Sequence, residues 1–183
     1  VDLLYAVNNG ATSSTSGASD YVKLSFKHAQ ALLVFQAMVN TADAIKINSI
    51  TIDGLKVKGT FTVDNSRNDL VASWSNLETV DAMNTIAIGA DSATDNLGEA
   101  LTNTTEFAQI GSTLLVPQQP RLNFTVNYTM GGNTMNYTYN EARGTWEMGK
   151  KYIYKLDMTL SEIILTEEVA DFVDAAVPEI PLN

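Results

Sequence analysis

The chain has 183 residues, enough for one domain or two small ones. It carries 11 Lys and Arg against 21 Asp and Glu, for a net charge of −10. That balance excludes the phosphate backbone of nucleic acids as a partner and disfavours an anionic membrane surface. No apolar run is longer than five residues, too short for a membrane-spanning helix, and the absence of Cys excludes disulfides, thiol catalysis and thiolate metal sites.

The first residues lack a charged-then-apolar leader, which implies a signal peptide absent or already removed. Leu3 to Val7 reads as a short strand or docking segment, followed by a Gly, Ser and Thr-rich loop from Asn8 to Ser19. Val22, Leu24, Phe26 and His28 alternate with Lys23, Ser25 and Lys27, predicting a strand whose apolar side faces a core. Ala31 to Val39 is apolar apart from Gln36, and its Val and Phe content favours a buried strand over a helix. Ile45 to Ile52 alternates and ends at Asp53-Gly54, a turn signal of the hairpin kind. Leu55 to Val63 continues the pattern, with Gly59 as a bulge.

Leu70 to Trp74 reads as a short strand, and Ser75 to Phe107 as a loop excursion broken by Thr85 to Ile88. Order returns at Ser112 to Val116. Leu122, Phe124, Val126 and Tyr128 then alternate with Asn and Thr, Gly131-Gly132 turns the chain, and Met135, Tyr137 and Tyr139 answer, which predicts a β-hairpin. Tyr152 to Met158 and Leu160 to Leu165 are two further extended runs. The sum is about nine strands and no convincing long helix, an all-β, antiparallel sandwich. After Lys155 the chain has no cation and seven carboxylates. Thr166 to Ala176 fits either a short helix or an extended tail. The organisation expected is a lead-in over residues 1–20, a sandwich domain over 21–165, and an acidic tail over 166–183.

No catalytic or cofactor constellation is visible: no nucleophile elbow, phosphate loop or dinucleotide fingerprint. The chain reads as a non-enzyme without cofactors. His28, alone of its type, reads as a core-edge residue held by one polar contact. Asp64, Asn65, Ser66, Asn68 and Asp69, like Asp91, Asp95, Asn96 and Glu99, are oxygen-rich but lack the spacing of a calcium loop, and read as solvated turns. Four Asn-x-Thr sequons start at Asn103, Asn123, Asn127 and Asn136. Tyr128, Tyr137, Tyr139, Trp146, Tyr152 and Tyr154 read as one apolar sheet face, with a sugar-stacking platform as the alternative.

Two stretches carry a resemblance. Val1-Asp2-Leu3-Leu4-Tyr5-Ala6, with Val22 to Ala29 ending in Phe26-Lys27-His28-Ala29, resembles the fimbrillin family, the pilins and pilin-associated proteins of Bacteroidales fimbriae. Trp146-Glu147-Met148-Gly149-Lys150-Lys151-Tyr152 is similar to the family's Trp-x-x-Gly-Lys-x-Tyr run. The resemblance implies a transthyretin-like β-sandwich and the C-terminal domain of a two-domain, exported subunit, whose membrane link is a lipid anchor on a preceding region. It implies a structural role at the cell surface, with other fimbrial subunits as partners joined by β-strand donation, and host or bacterial surface ligands as further partners. By position the donor is the tail after Leu165, with Val169, Phe172, Val173 and Val177 as apolar anchors. The alternative function is an adhesive tip or glycan-binding module built on the Tyr and Trp-rich third.

Overall fold

The computed structural model describes residues 1–6, 24–64, 71–79, 86–87, 95–119, 121–142 and 144–173. Within them the chain forms thirteen strands and no helix. They are β1 (Leu4–Tyr5), β2 (Lys27–His28), β3 (Ala31–Val39), β4 (Ile45–Asp53), β5 (Lys58–Asp64), β6 (Val71–Glu78), β7 (Ile86–Ala87), β8 (Ala100–Leu101), β9 (Ala108–Leu115), β10 (Arg121–Met130), β11 (Asn133–Ala142), β12 (Lys150–Met158) and β13 (Ile163–Asp171).

Two sheets build the sandwich. One has the order β13-β12-β3-β9; the other has β11-β10-β4-β7, with β8 also on β4. Alternation decides which side chains meet between them. Leu33, Phe35, Tyr154 and Leu156 come from the first sheet, and Ile50, Ile52, Phe124 and Val126 from the second, all buried in one core. Aromatic rings form its centre. Phe35 stands edge-on to Phe124 at 5.6 Å between centroids and stacks on Tyr154 at 5.2 Å. Phe124 in turn stacks on Tyr139 at 5.1 Å.

β3 is the strand that the Ala31–Val39 composition favours. It lies between β12 and β9, which explains why it is nearly continuously apolar. Its pairing with β12 is parallel, Leu32 opposite Lys151 through Val39 opposite Met158, so the sandwich departs from a purely antiparallel plan in this one ladder.

β10 and β11 form the expected hairpin. Gly131 and Gly132 both have positive φ, 56° and 79°, the conformation that a two-residue type I′ turn requires. Its outer face is a ladder of like pairs. Asn127 donates to Asn136 at 2.8 Å, the Thr125 and Thr138 hydroxyls lie 3.3 Å apart, and those of Thr129 and Thr134 lie 3.4 Å apart. Asn48 of β4 extends the ladder, donating to Asn127 at 2.9 Å and Thr129 at 3.0 Å. The sequon residues Asn123, Asn127 and Asn136 all belong to this hairpin.

Three expectations from sequence change. Asp53-Gly54 ends β4 but makes no hairpin with β5, because the edges of β4 are taken by β10 on one side and by β7 and β8 on the other. β5 instead pairs with β6 in a separate ribbon, where Gly59 is a bulge between Lys58 and Thr60. A Cβ there would lie 2.6 Å from Leu77 Cδ2.

The Val22 to His28 alternation yields only the two-residue β2, and Leu24 and Phe26 are 49% and 64% exposed. β2 pairs with two residues of β1, and no sheet of the described residues covers that side; Val22 and Lys23 lie outside the described residues. Finally, the boundary expected after Leu165 falls inside β13, which stays paired with β12 to Asp171. Lys150–Asp171 and Lys155–Glu168 ion pairs, each 2.6 Å, lie across that ladder.

Candidate functional site

The C-terminal strand and its exit carry the candidate assembly residues, and the fold separates them. Val169 lies in β13, opposite Tyr152, and is 55% exposed. It lines a pocket of about 290 Å³ with Trp146, Glu147, Tyr152 and Glu167. Phe172 follows the strand. Its N–H donates to the Gly149 carbonyl at 2.8 Å, and its ring stacks on His28 at 3.5 Å between centroids. Val173 is 78% exposed, and Val177 lies outside the described residues. The extended form of the Thr166 to Ala176 stretch is the one adopted as far as Asp171.

His28 joins the two ends of the described fold. It is buried, and its Nδ1 lies 2.8 Å from Asp2 Oδ2. Gln30 accepts the Leu3 N–H at 3.0 Å, and the Ala29 N–H donates to the Leu3 carbonyl at 2.8 Å. The lead-in, β2 and the residue after β13 therefore meet at one clasp: Asp2, His28 and Phe172. The polar contact of His28 agrees with its reading as a core-edge residue. The stacking on Phe172 has no local sequence signal, because it needs the whole sheet order to bring the rings together.

The Tyr and Trp-rich third turns inward. Trp146 and Tyr154 are fully buried, and the Trp146 indole N–H donates to Tyr154 Oη at 2.8 Å. Tyr152 Oη donates to the Thr145 carbonyl at 2.9 Å and accepts the Glu147 N–H at 2.8 Å. Burial pushes both phenols upward, Tyr154 the further. Tyr128, Tyr137 and Tyr139 are half-buried against the core. No open ring platform results from these six residues.

Electrostatics concentrate at the β12–β13 edge. The hydrogen bond from Lys155 holds the Glu168 carboxyl below its ordinary range, and that from Lys150 does the same to Asp171. Asp171 in turn raises Lys150. Lysines on β12 and carboxylates on β13 were visible in the sequence, and their complementarity could have extended the strand past Leu165.

The oxygen-rich stretches do other work or fall outside view. Asp95 accepts the Gln109 amide at 2.7 Å, and Asn96 donates to the Gln109 carbonyl at 2.9 Å, fastening a loop to β9. Asn65, Ser66, Asn68, Asp69 and Asp91 lie outside the described residues. Among the described residues no group of three or more His, Asp or Glu is placed to hold a metal ion. A buried polar residue that sequence reading missed is Gln118. It accepts the Lys56 N–H and donates to the Lys56 carbonyl, both at 2.8 Å, tying the Leu55–Val57 crossing to the Trp146 bridge.

Comparison with known proteins adds an independent line. The family model described as fimbrillin-like matches residues 1–171. No curated protein matches the chain. Among solved structures, a candidate cell adhesion protein from Bacteroides ovatus ATCC 8483 is similar, with 14% identity, a TM-score of 0.50, and 85% of this chain and 49% of that chain covered. A further candidate cell adhesion protein, from Bacteroides uniformis ATCC 8492, has 13% identity, a TM-score of 0.49, and coverage of 83% and 54%. A fimbrial protein from Bacteroides vulgatus ATCC 8482 has 9% identity, a TM-score of 0.48, and coverage of 82% and 56%. The chain thus spans about half the length of the solved structures it resembles.

Proposed function

The chain belongs to the fimbrillin-like family, and from that premise we propose that it is a structural subunit of a cell-surface fimbria. The family match over residues 1–171 carries this reading. The inward-facing aromatic residues agree with a structural role, since they leave no ring platform for a sugar. On this reading the partners are other fimbrial subunits, and the membrane is reached through a lipid anchor elsewhere in the precursor.

We further propose head-to-tail assembly by strand donation, with Val173 and Val177 as the donated anchors and Phe172, held on His28 of its own chain, at their base. β13 is occupied within its own sheet and Phe172 is held at its end, so donation starts after Phe172, and Val169 lies in the folded ladder below the donor. The exposure of Val173, just beyond the last ladder pair, supports that placing. Main-chain hydrogen bonds would supply affinity and alternate apolar side chains the register. A contact of this kind does not close on itself, and so produces a fibre.

The test is Val173→Cys, mixed with isotope-labelled chains bearing single Cys probes along the sandwich strands. Intermolecular disulfides to one groove are expected, identified by non-reducing mass spectrometry. Links confined within one chain would overturn donation and leave the tail as part of its own domain.

A further inference from the structure

β11 is hydrogen-bonded on one side only; among the described residues no strand lies against its other edge. The Gly131-Gly132 turn makes Met130 and Asn133 a hydrogen-bonded pair, and such pairs alternate along an antiparallel ladder. The N–H and C=O groups of Thr134, Asn136, Thr138 and Asn140 therefore point away from β10, toward the open edge. The side chains of the same four residues are exposed.

Sheet edges are ordinarily defended by charge, proline or a bulge. From Asn133 to Asn140 the strand has no charged residue and no Pro, and its ladder with β10 has no register shift. In a chain of net charge −10, this is an edge that two copies can approach without opposing carboxylates along that stretch.

The side-chain pattern also selects the partner. β10 and β11 already meet as Thr on Thr and Asn on Asn. Read antiparallel against itself about Thr138, β11 repeats the same rungs: Thr138 meets the partner's Thr138, and Asn136 meets the partner's Asn140. On the core side, half-buried Tyr137 and Tyr139 extend the apolar face toward the partner. We propose that β11 pairs antiparallel with β11 of a second copy about a two-fold axis at Thr138, merging two sheets into one. Such a contact is isologous and closes after two copies. It uses none of the C-terminal tail, so it is independent of strand donation and joins subunits side by side.

The test uses the full 183-residue chain, which has no Cys of its own. Thr138→Cys puts one thiol on the axis, where paired Cα atoms about 5.5 Å apart lie within disulfide range. Sedimentation velocity over a dilution series should show a reversible dimer. Mild oxidation should convert Thr138→Cys to a covalent dimer, while Thr134→Cys, whose partner in this register is residue 142, links far less. Thr138→Lys, with its fold verified by circular dichroism, should weaken self-association about tenfold or more by opposing like charges. Thr166→Lys on β13 should leave it unchanged. A chain monomeric throughout, a dimer indifferent to Thr138→Lys, or equal linking by both Cys variants would overturn the proposal. A chain that dimerises this way yet forms no tail cross-links would refute donation alone.

Discussion

Replacing Phe172 with Ala should release the end of β13 without unfolding the sandwich. The ring is half-buried and stacks on buried His28 at 3.5 Å, while the backbone hydrogen bond to Gly149 stays available to Ala. An aromatic pair contributes about 0.5–1.5 kcal/mol beyond its area. Half the burial of a large apolar side chain adds about 1 kcal/mol. The sum, about 1.5–2.5 kcal/mol, acts on local opening, because Phe172 lies past the last ladder pair and outside the central core. At 1.4 kcal/mol per decade, the amides of Ala170 and Phe172, which face β12, should exchange about tenfold to sixtyfold faster. Amides at the centre of β3 should barely change. Residue-resolved hydrogen exchange reads both regions in one experiment. Unchanged exchange at Phe172 would refute the clasp. Equal acceleration in β3 would show that the ring supports the whole fold rather than its end.

Three further outcomes follow from the same geometry. Phe124→Ala, which removes the ring touching Phe35, Tyr139 and Tyr154, should cost about 3–5 kcal/mol in denaturant unfolding. Trp146→Phe should cost about 1–3 kcal/mol by deleting the donor to Tyr154 Oη, with Tm falling about 2–4 °C per kcal/mol in calorimetry. At the β12–β13 edge, depressed Glu168 and Asp171 stabilise the fold above the ordinary carboxylate value near about 4, and this is lost as pH falls through their lower folded values. Raised Lys150 has the opposite sense: its contribution is present below about 10.4 and lost as pH rises through its higher folded value. Carboxyl carbon shifts titrating at or above ordinary midpoints would contradict both ion pairs.

How much of this was legible depended on whether the signal was local. The β10–β11 hairpin was, because strict alternation and Gly131-Gly132 specify both the strands and their turn. Gly59 was too, since a glycine inside an alternating run marks a bulge. Leu24 and Phe26 misled, because alternation reports which side chains share a face and not whether anything covers that face. Asp53-Gly54 misled for a related reason: a turn signal bends the chain but does not choose the next strand's partner. β13 was underestimated because Glu167, Glu168 and Asp171 look like a solvated tail until Lys150 and Lys155 are placed beside them. The same long-range ordering hid the clasp at His28, as each of its members has an ordinary local sequence. The dimensions of the candidate tail were therefore readable only in part: its residues were identifiable, but where the folded ladder stops was not.

The parallel ladder between β3 and β12 governs when the protein can fold. Leu32 is paired with Lys151, so the chain must close a loop of about 120 residues before the two central strands of that sheet can meet. A flexible loop of that length costs about 4 kcal/mol more in closure entropy than a minimal one. The β10–β11 hairpin faces almost none of this cost and can form within microseconds of its synthesis. During synthesis from the N-terminus, β3 thus waits with its apolar residues unpaired on the β12 side until nearly the whole sandwich has been made. A truncation before Lys150, which removes β12 and β13, should therefore leave β3 without this partner and the sheet unable to close.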